Sequence, residues 1–148
     1  MKPELTSSDA FWILSCAYRD ASDSTLATIR TGTYVGLAVM PCVFLFFRSI
    51  ELALKSVLVH HGVPKHEITR TLGHRIAALL LRVELFTDIT IIGISRVDRQ
   101  LLDRFSDDYA NKSFEYSNDW GQYRHLEDLQ SLAQRVCDTV CTYERAKV

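Results

Sequence analysis

A chain of 148 residues with 47% hydrophobic and 24% charged side chains is long enough to bury roughly two-thirds of its unfolded surface in one core, and its composition lies outside the disordered range. Seventeen basic residues against eighteen acidic ones give a net charge of -1. That balance excludes a global field recruiting nucleic acid or an anionic membrane, so any polyanion site has to be local. 

The opening MKPELTSSDAFW lacks a basic segment followed by an apolar one, the pattern of a secretory signal. The most apolar run, residues 35–47 (VGLAVMPCVFLFF), contains Pro41 and has 13 residues, whereas a membrane-spanning helix needs about 20. A cytoplasmic protein with no membrane contact is expected. Four cysteines, Cys16, Cys42, Cys137 and Cys141, lie far apart or four residues apart with no C-x-x-C pair. They read as buried free thiols rather than a disulfide or zinc set.

In chain order, Thr6, Ser7, Ser8 and Asp9 offer N-caps for a first helix with Ile13, Leu14, Ala17, Tyr18 and Ala21 on its apolar face, ending near Ser22-Asp23-Ser24. Residues 30–36 (RTGTYVG) favour a loop, with a short strand as the alternative. Pro41 suits the first turn of a second helix, stopped by Gly62 and Pro64. On that helix Arg48, Ser49, Glu51, Lys55 and Ser56 share a polar arc, opposite Val43, Phe46, Phe47, Ile50, Ala53, Leu54 and Val57. Leu45, Leu52 and Val59 form a heptad strip inside the polar arc and need cover, from another helix of the domain or from a second subunit.

A short helix over residues 67–72 precedes Gly73, which interrupts the chain before the apolar run 76–86. Ser95 with Asp98 resembles a capping signal for a helix carrying Val97, Leu101, Leu102, Phe105 and Tyr109. Residues 111–121 (NKSFEYSNDWG) have the composition of a structured loop. The last helix, about 123–143, presents Leu126, Leu129, Leu132, Ala133, Val136 and Val140. The expectation is a single all-α domain over 1–148, an up-and-down bundle of about five helices.

Three motifs, PCVFLFFRSIELALKSVLVHHG, LGHRIAALL and YANKSFEYS, in that order, resemble the HEPN superfamily of prokaryotic helical domains. The likeness is to a subgroup with an E-L-x-L-K helix, a G-H turn and a Y-x-x-K-x-F-x-Y segment, over a core of about 38–143. The resemblance implies a helical bundle, commonly a homodimer, with an RNA- or nucleotide-related role in toxin-antitoxin or defence settings. It also implies a possible protein partner. Many members are metal-independent ribonucleases with an R-x(4-6)-H signature, in which His moves a proton and Arg stabilises phosphorane charge. 

This chain departs from the signature: its nearest approaches are Arg70-x-x-x-His74 and the adjacent Arg124-His125. The reading is therefore a non-catalytic HEPN-like binding protein. The alternatives are a divergent ribonuclease using His74 with Arg70 or Arg75, and a purely structural interaction module.

The candidate sites keep two readings each. Glu51 and Lys55 form an i,i+4 pair, either solvated or lining a phosphate groove with Arg48. His74 and Arg75 begin a helix, as an anion site or as a structural cap. Tyr109, Lys112, Phe114 and Tyr116, extended by Trp120, Tyr123 and Arg124, mix aromatic and basic character, either as a base-stacking surface or as anchors of a loop. His60, His61 and His66 lack a thiolate or carboxylate partner and suggest no metal, and no cofactor motif is present. Leu45, Leu52 and Val59 are the candidates for a dimer interface.

Overall fold

The computed structural model describes residues 7–31, 39–111 and 126–146. Lys112, Phe114, Tyr116, Trp120, Tyr123 and Arg124 lie outside them, as do residues 32–36 of the expected loop. The described chain is all helical: α1 (Ser7–Arg30), α2 (Val39–His60), a π-helical segment (Glu67–Leu72), α3 (Ile76–Glu84), a 3-10 turn (Ile89–Ile92), α4 (Arg96–Ala110) and α5 (Leu126–Arg145). Among the described residues there is no strand, and no helix is long and apolar enough to cross a membrane.

Helix α2 is the axis of the bundle, packed against α1, α3 and α5. Pro41 sits in its first turn, where a missing N–H costs nothing. Its end is a Schellman motif: Gly62 has φ +82°, its N–H donates to the Val59 carbonyl, and that of Val63 donates to the Leu58 carbonyl. Phe46, Phe47, Ile50, Leu54 and Leu58 of α2 are fully buried against Leu79 and Leu80 of α3, Leu102 of α4, and Leu132 and Val136 of α5. The capping box expected before α4 is present, with Ser95 and Asp98 exchanging hydrogen bonds of 2.8 and 3.2 Å. Asp98 also holds Arg135 of α5 at 3.0 Å, which ties that helix start to the last helix. Val97, expected on the apolar face of α4, is instead 74% exposed.

The first helix differs most from expectation. It continues past Ser22-Asp23-Ser24 to Arg30, and Ile13, Leu14, Ala17 and Ala21 face outward. Its buried face is made of Ser8, Ser15, Ser22 and Leu26. Each of those serines meets a small residue of the antiparallel α2. Ser15 Oγ donates to the Ser49 carbonyl at 2.7 Å, and Ser49 Oγ returns a bond to the Ser15 carbonyl at 2.8 Å. Ser56 Oγ lies 3.0 Å from the Ser8 carbonyl, and Ser22 Oγ donates to the Cys42 carbonyl at 2.8 Å.

A side-chain oxygen reaches a facing carbonyl only when two helices approach closely, and seven-residue spacing on both partners repeats the rung down the seam. The polar arc of α2 is therefore buried rather than solvated: Ser49, Glu51 and Ser56 are wholly inside. Cys137 of α5 closes the seam, its Sγ 3.1 Å from Ser15 Oγ, and Trp12 Nε1 donates to the Cys137 carbonyl. Cys42 and Cys137 are free and buried, as expected, whereas Cys16 and Cys141 are half-buried.

The seam predicts an asymmetric mutational response. Ser49→Ala removes one hydrogen bond and costs about 1 kcal/mol, while Ser49→Leu must push α1 away and costs about 3 kcal/mol, the upper end for overpacking. Urea titration of the two variants checks this; equal losses would contradict a close-packed seam.

Candidate functional site

Glu51 is the one carboxylate of α2, and it has no solvent exposure. A buried carboxylate survives only where donors replace its lost water. Four side chains supply them. Lys55 Nζ, one turn on, lies 2.6 Å from Oε1, and Arg48 Nη1, one turn back, lies 2.8 Å from the same oxygen. The Tyr109 hydroxyl of α4 donates to Oε2. His74 Nδ1 stands 3.0 Å from Oε1.

Each donor is itself held. Gly73, at φ +55° and ψ -126°, makes the sharp turn between the π-helical segment and α3 that delivers His74. The ring of Tyr109 is stacked on Phe47 at 5.6 Å and tilted against Phe44 at 5.8 Å. The Arg48 guanidinium lies 5.8 Å from the centre of the Tyr18 ring of α1, within cation–π range. His74 Nδ1 is also 3.1 Å from Arg48 Nη1, so the imidazole is partnered in either tautomer: Nδ1–H donates to the carboxylate, and bare Nδ1 accepts from the guanidinium.

The electrostatics follow from this geometry. Burial alone would raise the Glu51 pKa, but the Lys55 hydrogen bond and charge, the Tyr109 hydroxyl and Arg48 together hold it below the usual carboxylate range. Burial and the Glu51 charge push the Tyr109 phenol well above the ordinary tyrosine value, so it remains an O–H donor. Burial works against the Arg48 charge, yet the Glu51 carboxylate and the Tyr109 oxygen together outweigh it and its pKa is raised.

This network forms part of the floor of a cleft of about 410 Å³. Ala10, Phe11 and Leu14 of α1 make one wall; Arg48, Leu52 and Lys55 of α2 make the base; Lys65, Thr69, Gly73 and His74 make the other wall. The solvated reading of Glu51 and Lys55 is thus overturned: Glu51 is wholly buried and Lys55 nearly so, with Tyr109 of α4 and His74 closing over the carboxylate. Of the residues singled out from sequence, Arg48, Glu51, Lys55, His74 and Tyr109 come together. Arg70 and Arg75 do not: both are exposed, and the Arg75 guanidinium turns back to the Thr71 carbonyl. Tyr109 is buried, so it positions Glu51 rather than facing the cleft.

Leu52 is only 2% exposed and packs within the chain, while Leu45 and Val59 are half-buried. His60 and His61 lie by Tyr143, with His61 Nε2 2.5 Å from its hydroxyl. Among the described residues no group of three or more metal-ligating side chains is present. Sequence reasoning missed Lys65, Thr69, Phe11 and Leu14 as cleft residues. No local pattern marks them, because only the closeness of α1 to α2 and the turn at Gly73 bring them together.

Two consequences of the buried carboxylate are measurable. Its folded pKa is lowered, so its contribution to stability is fully present above the ordinary glutamate value near 4.3 and is lost as pH falls through the lowered folded value. The urea midpoint of Glu51→Gln therefore changes less between about pH 5 and pH 3 than that of the unmodified chain. At pH 7 the same substitution costs about 3–5 kcal/mol by leaving the Lys55 ammonium without its counter-charge, and Glu51→Gln with Lys55→Met recovers part of the loss. Strictly additive losses would refute the pairing.

Compared with protein-family models, with curated proteins and with solved structures, the chain matches none of them.

Proposed function

We propose that this chain is a HEPN-like helical protein that acts by binding, with a phosphate group of RNA or of a nucleotide taken into the cleft between α1, α2 and the π-helical segment. The observation that carries this reading is the convergence of Arg48, Lys55, Lys65 and His74 on one cavity, with no acidic side chain along its lining and Glu51 held beneath. Three positive charges less one negative leave two, before any charge on His74. A chain with net charge -1 thus has a local positive cleft, which is how polyanion binding arises without a global field. Its volume lies in the range of about 300–1,000 Å³ found for small-molecule sites. Phe11 and Leu14 add an apolar rim against which a base or sugar packs. A role in a toxin-antitoxin or defence system, or with a protein partner, rests on the family resemblance alone.

A ribonuclease is the second reading, favoured by the 3.0 Å approach of His74 to the buried Glu51. With Nδ1–H donated to that carboxylate, Nε2 keeps a lone pair for proton transfer. The geometry supports Arg48 as phosphate clamp in this reading, in place of Arg70 or Arg75.

Fluorescence anisotropy with a labelled single-stranded RNA tests the binding reading. Arg48→Gln and Lys65→Gln each weaken binding and each lower the slope of log K against log salt by about 0.7, the value for one phosphate contact on a single strand. A flat titration at tens of micromolar protein would sink the proposal. Cleavage of the same RNA in EDTA, abolished by His74→Ala, would establish the ribonuclease instead.

A further inference from the structure

The cleft has a direction. Its base is α2, where Glu51 and Leu52 are inaccessible and Lys55 is 5% exposed, whereas Lys65 and His74 at the opposite wall are exposed. An entering group therefore meets Arg48 and Lys55 beneath it and Lys65 and His74 at its side. An internal phosphodiester turns only two free oxygens toward such a base, whereas a terminal monoester turns three.

The charge balance points the same way. Arg48 and Lys55 are partly neutralised by Glu51, but Lys65 has no ion-pair partner among the described residues. The cleft keeps an excess of two positive charges. A diester brings one negative charge; a monoester, with its second pKa near 6, brings between about 1.5 and 2 at neutral pH. A monoester also offers three free oxygens, enough for Arg48 and Lys55 at the base and Lys65 or His74 at the wall to engage one each.

Resting on the binding function proposed above, we infer that the cleft selects a terminal phosphate monoester, the end of an RNA strand or a free nucleoside monophosphate, over an internal phosphodiester. Lys65 and His74 read the added charge, and Phe11 and Leu14 receive the first sugar or base outside it. The ligand thus enters end-on and singly.

Titration calorimetry with three RNA hexamers of one sequence decides the matter: one 5′-phosphorylated, one 3′-phosphorylated and one with hydroxyls at both ends, beside adenosine monophosphate and adenosine. The expected result is binding of one phosphorylated hexamer about tenfold tighter than the hydroxyl-ended one, and of the monophosphate over adenosine. The end that gains identifies the source of the monoester. Lys65→Gln alters an exposed side chain outside the Glu51 network, keeps the thermal melt, and reduces the tenfold preference to about twofold or less. If all three hexamers bind alike and Lys65→Gln weakens them equally, the terminal preference is overturned while the cationic cleft stands. If none of the probes binds, both this inference and the binding function fall.

Discussion

The carboxylate of Glu51 is the constraint around which the site is arranged. An unpaired carboxylate moved from water into the middle of a helical bundle costs several kcal/mol, and here that cost is met by donors from three separate places in the chain. Arg48 and Lys55 come from the turns of α2 on either side, His74 from the Gly73 turn, and Tyr109 from α4. Shifting α4 or the Gly73 turn away would remove a donor. The carboxylate fixes the relative position of three chain segments more sharply than apolar contact alone, which tolerates sliding. No buried side-chain polar atom among the described residues lacks a partner, so the network is complete rather than half-satisfied, the condition under which buried polar groups specify structure.

The serine seam does the complementary task on the other side of α2. Bulky apolar residues at Ser8, Ser15 and Ser22 would bury more surface but would hold α1 further off. Small hydroxyls let the two helices approach, and each hydroxyl spends its proton on the partner backbone or, at Ser56, has Glu144 Oε1 2.5 Å away as well. Close approach brings Phe11 and Leu14 within range of the Gly73 turn, forming the cleft. It also explains why Ile13, Leu14, Ala17 and Ala21 of α1 point outward: much of the inward face was taken by residues chosen for size.

Helical class, the α2 boundaries and the Ser95 capping box were legible in the sequence because each rests on local rules: apolar periodicity, a proline and glycine at opposite helix ends, and a hydroxyl three residues before a carboxylate. The first helix was misread by the same rules. Periodicity assigns the core to Ile13, Leu14, Ala17 and Ala21, and it has no means of preferring Ser8, Ser15 and Ser22 unless the matching heptad Cys42, Ser49 and Ser56 is noticed on α2. That correspondence was present in the sequence. Burial of Glu51 was not, since an i,i+4 Glu–Lys pair looks the same solvated or enclosed, and only the helix placed over it decides. Arg48, Lys55 and His74 were visible as candidates, but Lys65, just past the Gly62 turn that ends α2, is brought to them by the tertiary turn alone, which has no periodic signature.

The same carboxylate that stabilises the cluster is also what would prepare it for the proposed ligand. Lys55 has three N–H donors and Arg48 five; Glu51 takes one from each, and His74 Nδ1 lies within reach of one more of Arg48. The carboxylate therefore orients both cations while consuming a minority of their hydrogen-bonding capacity. Without it, two like charges two helical turns apart, with Lys55 almost out of water, would repel and swing outward. With it, they are held rigid and still outnumber the negative charge beneath them. In the proposed binding function an entering anion would meet donors already aimed, with the entropy of ordering two long side chains spent in folding rather than in binding. The burial of Glu51 and the cationic character of the cleft are in this sense one feature: the negative charge inside is what allows the positive charges to face outward together.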